Sequence, residues 1–230
     1  MWGVRDEASA VGRPGRKRRP TAPHEVQLPS GRHGLTRRYV VANQRQRIVD
    51  ALVRVVGTYS YQAASVERVA AHAGVSRRTF YEQFEGKEDA FVRAYDSAAA
   101  QLLMRVRTAA TAGASASEQV HDGLVALLDG LAGEPQLAHM CIVAVLSAGP
   151  VAIDRRDVHM RSFASLVDDV ARRHGGPPLP PLTAEGVVGA IYDIVYKRIA
   201  AGQASELPAL LPQLHSFCVR LFGPTAERRR

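Results

Sequence analysis

Arg77 and Arg78 stand side by side directly after Ser76, inside the stretch AHAGVSRRTFYEQF over residues 71–84. A guanidinium can bridge guanine O6 and N7 with two parallel hydrogen bonds, and it also pairs readily with a phosphate. Thr79 adds a hydroxyl and a methyl group, Tyr81 and Gln83 add hydrogen-bonding groups, and Lys87 adds a second kind of cation. Phe80 and Phe84 are four apart, so on a helix they bury one face and leave Arg77, Arg78 and Tyr81 on the opposite one. Such a face suits a polyanion read at its base edges, provided that rigid elements stand behind it.

Other chemistries find little support. His139 and Cys141 are two apart, which points them to different faces of a helix. No glycine-rich phosphate loop, serine-centred elbow or paired-carboxylate motif accompanies them. His121, His139 and His159 lack a zinc-ligand spacing. The sequence therefore predicts no enzyme, no metal and no cofactor. Cys141 and Cys218 form no disulfide framework and read as free thiols in a reducing compartment. The most apolar run, residues 140–153, is broken by Ser147-Ala148-Gly149-Pro150 and falls short of the ~20 apolar residues a spanning helix needs. MWGVRDEASA at the start lacks an apolar signal core. A soluble, cytoplasmic protein with no membrane partner is expected, lying on the nucleoid when bound to DNA.

The net charge of +8 is concentrated at one end: residues 1–100 hold 17 Lys/Arg against 10 Asp/Glu. Residues 1–40 read as a disordered basic arm, rich in Gly, Pro and Arg without apolar period. Within it, GRPGRKRRP at residues 12–20 is weakly similar to AT-hook peptides, and an electrostatic arm is the plainer reading.

Behind the arginine face, the spacing predicts helices throughout. Ile48, Leu52, Val55, Val56 and Tyr59 recur at helical spacing from Asn43 onward. Ser65 reads as the N-cap of a short helix that Gly74 ends, and Ser76 caps the next. Further helices are expected over 87–107, from Ser115 (a capping box with Glu118), over 137–146, 154–173, 184–200 and 207–222. No segment alternates with period two, so the fold class is all-α with about nine helices.

Residues 66–84 thus follow helix-turn-helix logic, in which the second helix presents its N-terminal residues to the major groove. SVERVAAHAGVSRRTFYEQFEGKEDAF, with the amphipathic helix before it, resembles the DNA-binding domain of TetR-family transcriptional regulators. The resemblance rests on Ser65, Ala73-Gly74-Val75-Ser76, Phe80-Tyr81, Phe84 and Lys87-Glu88, and covers about residues 43–95. Family members often carry His or Tyr where Gln83 stands. It implies a DNA-binding domain over 41–101, with its motif at 65–84, and a ligand-binding and dimerisation domain over 102–230. It also implies that Ser65 donates to a phosphate and that Arg77 and Arg78, following the Ser76 cap, read bases. Thr79 would meet a thymine methyl or a phosphate, Tyr81 and Gln83 would hold the backbone, and Lys87 would pair with a phosphate.

The middle helices would form the family's ligand chamber, with Met104, His139, Met140, Phe163 and Tyr192 as candidate lining for a small apolar effector. The last two helices would dimerise. Val188, Ile191 and Val195 belong to a helix apolar nearly all round, and Leu210, Leu214, Phe217 and Leu221 form a stripe on the other. The expected protein is a homodimeric repressor on a palindromic operator, released by that effector. The alternative is a helix-turn-helix protein with an architectural, weakly specific DNA role.

Overall fold

The computed structural model describes residues 37–174 and 178–221. Residues 1–36 of the expected arm, with its AT-hook-like segment, lie outside the described residues, whereas residues 37–40, also assigned to the arm, are helical. Nine α-helices and no strand occur among the described residues.

The first helix, α1 (Arg37–Tyr59), buries Ile48, Ala51, Leu52, Val55 and Val56 on one stripe. It starts six residues before the first apolar period, because residues 37–42 carry no buried side chain to announce it. α2 (Val66–Ala73) and α3 (Arg77–Tyr81) follow, and both caps form as expected: Ser65 Oγ accepts from the Arg68 N–H at 3.2 Å, and Ser76 Oγ from the Thr79 N–H at 3.0 Å. Between them Gly74 adopts φ 62°, a left-handed conformation that costs a side-chain-bearing residue. The α-helix ends at Tyr81, but the Phe84 N–H still donates to the Phe80 carbonyl and both phenyl rings are buried.

α4 (Lys87–Ala109) is a 23-residue helix, and a domain boundary at residue 101 falls inside it. α5 (Ala116–Gly133) opens on the capping box of Ser115 and Glu118. α6 (Pro135–Ile142) ends sooner than its apolar pattern suggests and gives way to a 3-10 turn at Ala144–Ser147. α7 (Pro150–Arg173) begins at its proline, which needs no amide partner at the first helical position. α8 (Thr183–Ala200) is followed by a 3-10 segment, Ala204–Leu210, and α9 (Leu211–Leu221). The expected single helix over 207–222 is split there because Pro208 and Pro212 each remove a backbone donor.

Two cores result. One joins α1–α4 to α6 and the start of α7 through Ile48, Leu52, Val69, Phe80, Phe91 and Met140. The other gathers α5, α6, α8 and α9 around Leu128, Val195, Leu207 and Leu214. Where α1 crosses α6, a Cβ on Gly57 would come within 2.9 Å of Gln136 Cβ, so only glycine permits that approach.

The left-handed turn sets the angle between α2 and α3. Gly74→Ala is expected to cost about 1–2 kcal/mol, the penalty for a Cβ in that region. Urea denaturation would show a lower midpoint with unchanged slope. Gly74→Asn should lose less, since asparagine visits the same region more readily.

Candidate nucleic-acid interface and ligand cavity

The arginine pair is displayed by a short helix whose other face is locked. Phe80 and Phe84 lie in contact beneath it with ring centroids 5.6 Å apart, and Tyr81 is braced edge-on against Phe80. On the outer surface the Arg78 side chain is 89% exposed and its Nε donates to Glu82 at 3.0 Å. Arg77 reaches back to Glu67 on α2 at 3.1 Å. The Glu67 carboxyl is held below its ordinary range by its own backbone N–H first, then by the Ser65 hydroxyl and Arg77. Exposed pairs of this kind contribute roughly 0–1 kcal/mol, so an incoming phosphate or base edge can replace either carboxylate at small cost. Thr79 shares a 2.9 Å hydroxyl contact with Ser76. Ser65, Ser76, Arg77, Arg78 and Tyr81 are all exposed or half-buried along one side of α2 and α3.

The Lys87 side chain and the Gln83 backbone carbonyl already have partners within the protomer. The Lys87 ammonium donates to the Tyr61 carbonyl at 2.9 Å and lies 4.1 Å from the centre of the Tyr61 ring, and burial lowers its pKa. It fastens the start of α4 to the loop between α1 and α2. The Gln83 carbonyl accepts from Arg45 at 3.4 Å, and the Arg45 guanidinium stacks 4.7 Å from the Phe84 ring centre.

Arg47 was missed by sequence reasoning. Its guanidinium donates to the Ala73 carbonyl and, at 2.9 Å, to that of Gly74. These are the orphan acceptors that a helix leaves at its C-terminus, so α1 holds the turn through Arg47. Its partners are backbone atoms, so the sequence carried no signal of this contact.

Behind α4 lies a cavity of about 220 Å³ lined mainly by α4, α5, α6, α7 and α8. Phe163 and Tyr192 line it as expected, with Tyr95, Leu102 and His159. The Tyr192 hydroxyl donates to the Ile142 carbonyl at 2.6 Å. His159 Nε2 lies 3.0 Å from Asp96 on α4, which Arg155 also pairs at 2.7 Å, so α4 and α7 are clasped beside the cavity.

Three expected lining residues lie elsewhere. Met104 is 67% exposed, because it falls between the inward positions Leu102 and Val106. Met140 is wholly buried in the first core. His139 is half-buried outside the lining, its Nδ1 lacks a partner and burial lowers its pKa. The dimer stripe is corrected likewise. Val188, Ile191 and Val195 face the cavity, whereas Leu210 and Leu214 pack in the protomer's own second core. Of that set Phe217 is exposed, at 40%, and the Leu221 side chain lies outside the described residues. No described helix is long and apolar enough to cross a membrane.

Residues 48–94 match the family model of bacterial regulatory proteins, tetR family. The fatty acid metabolism regulator protein of Bacillus subtilis (strain 168) is 29% identical over 92 residues, 40% of this chain and 47% of that protein. The chain thus spans about half the length of the curated relative it matches. The transcriptional regulator FadR from Bacillus subtilis, solved with stearoyl-CoA, superposes with a TM-score of 0.67 at 21% identity, covering 76% of this chain and 97% of that one. The fatty acid degradation regulator FadR from Bacillus halodurans gives 0.69 at 19% identity, covering 81% and 97%. At such identities the likeness is one of fold.

Burial pushes the Cys141 thiol, which lines the cavity, up to about 12 and Cys218 up to about 11. The reactive thiolate is therefore scarce at pH 8. Both cysteines should resist a thiol-specific reagent in the folded protein and react together once urea unfolds it. Rapid labelling of Cys141 in the native state would show that the cavity opens freely.

Proposed function

We propose, from the match of residues 48–94 to the tetR family of bacterial regulatory proteins, that the chain belongs to that family and is a homodimeric repressor which a long apolar ligand releases from its operator. The family's members regulate transcription through DNA and are not enzymes. The observation that carries the finer reading is α4. Its first half packs Ala90, Phe91 and Ala94 into the core that supports the arginine face, and its second half lines the cavity with Leu102 and Val106. A ligand that repositions the second half must move the first, because an unbroken helix transmits displacement along its axis. The stearoyl-CoA of the Bacillus subtilis structure supports a long acyl chain as the ligand chemistry.

In this reading Arg77 and Arg78 leave Glu67 and Glu82 to read base edges. The Ser65 hydroxyl, Tyr81 and Gln83 hold the phosphate backbone, with Thr79 on a methyl or phosphate. Lys87 adds charge while keeping its hold on Tyr61. The partner protomer covers the outer face of α8 and α9, where Phe217 is exposed and Gly186 and Gly189 leave open space. That interface sets the distance between two headpieces, near one turn of DNA or about 34 Å. The protein would act in the cytoplasm, on the chromosome.

Selection of bound sequences from a random DNA pool, repeated with long-chain acyl-CoA present, tests this directly. A short palindrome lost on ligand addition is the expected result. Coating of any DNA at low salt, with no enriched sequence, would favour the architectural role instead. Arg78→Ala should weaken the selected site by about 1–3 kcal/mol and relax its preference, with little loss on scrambled DNA.

Phe217→Glu should yield a folded monomer by light scattering, because the carboxylate would meet its own symmetry mate. Leu214→Glu cannot serve in its place, since that side chain is buried within the protomer. A stable Phe217→Glu dimer would put the interface on another face.

A further inference from the structure

The cavity lining runs from exposed polar side chains to buried ones. Of the exposed ones, Gln101, Arg105 and Glu134 form the rim, with Arg105 4.0 Å from the Glu134 carboxylate. Among the buried ones, fifteen residues back along α5 or about 22 Å at the helical rise, sits Gln119. Around it Val106, Ala110, Val120, Gly123 and Val170 present only hydrocarbon.

Gln119 is 6% exposed and is the one buried polar residue of the described core. Its orientation is fixed, because Nε2 donates to the Gly113 carbonyl at 2.9 Å, which forbids the flipped amide. Gly113 sits so close to the start of α5 that a Cβ there would lie 2.8 Å from the Gln119 backbone nitrogen, so only glycine permits this approach. The amide oxygen is left buried and without a partner. An unpaired buried acceptor is costly, and leucine would fill the same space without that cost.

We infer that Gln119 is a specificity determinant for a ligand whose chain ends in a hydroxyl. An alkyl chain lies along α4 and α5 with its acidic head at the rim, and its terminal O–H donates to Gln119 Oε1. This rests on the proposed lipid-released repressor and narrows it from an acyl chain to a terminally hydroxylated one. The distance from rim to Gln119 selects chain length, and the amide oxygen selects the end group. A plain methyl end would leave the oxygen unpaired and still be accommodated, with weaker binding.

The test compares hexadecanoic acid, 16-hydroxyhexadecanoic acid and 8-hydroxyhexadecanoic acid, as free acids and as coenzyme A thioesters, on the unaltered full chain by calorimetry. The terminal hydroxyl should improve affinity about tenfold over the plain chain, the range expected for pairing a buried acceptor. The mid-chain hydroxyl should gain less than the terminal one, because it cannot reach Gln119 at the end of the chain. Gln119→Leu should abolish or reverse the preference, and the ratio between ligands reads this even if the variant is less stable. Equal binding of the plain and terminally hydroxylated chains overturns the role of Gln119, which is then only a loop anchor, and leaves the lipid reading standing. Binding of none of the six overturns the lipid reading itself, and this inference with it.

Discussion

Everything in this molecule depends on α4 being one continuous helix shared by two packing problems. Phe91 and Tyr95 are inserted into the first core, beside Ile48, Val69 and Met140. Three turns later Val106 is inserted between α5 and α7. Nothing in the sequence of α4 offers a hinge: it contains no proline and no glycine, and its breakers stand outside it at Gly86 and Gly113. The crossing of α1 over α6 at Gly57 makes the first core reach well beyond the headpiece. The arginine face is thereby mounted on the whole body and not on a separable module.

Positive charge is divided between anchoring contacts and exposed, exchangeable pairs by what lies opposite each side chain. Arg47, Arg45 and Lys87 meet backbone carbonyls at helix and loop ends, groups that demand donors wherever they are shielded from water. Arg77 and Arg78 meet carboxylates on open surface, where water competes and either partner is readily exchanged. Counting cations in the headpiece would not separate these classes. Their neighbours do.

The headpiece was legible in the sequence because its determinants are local. A serine three residues before the amide it caps, a glycine at a left-handed turn and two phenylalanines four apart each act within one or two helical turns, and Ser65, Ser76, Gly74, Phe80 and Phe84 all sit as their spacing requires. The body was legible only as helices. Val188, Ile191 and Val195 read as an interface because α8 is apolar nearly all round, but periodicity records that a face is dry without recording what dries it. A cavity, a neighbouring helix and a second protomer leave the same pattern. Met104 failed for a related reason: its chemistry suited a lining residue, while the stripe of Leu102 and Val106 already fixed the inward direction. Arg47 escaped notice because its partners, the Ala73 and Gly74 carbonyls, are backbone atoms with no signature in composition.

The cavity itself explains why the body should be the responsive half. An empty apolar space deprives its lining of contacts, at about 24 cal/mol for each Å³, so 220 Å³ corresponds to at most about 5 kcal/mol of forgone packing. That deficit falls on the second half of α4 and its neighbours on α5, α7 and α8, while the first core has its large side chains fully enclosed. An occupant that fills the space would restore those contacts, so the body has more to gain from a ligand than the closely packed first core has. The clasp of Asp96 with His159 and Arg155 lies between the two halves, on α4's next turn after Phe91. It ties α7 to α4 beside the cavity, so that in the proposed release a change in the cavity's width would reach the arginine face as a tilt of α4.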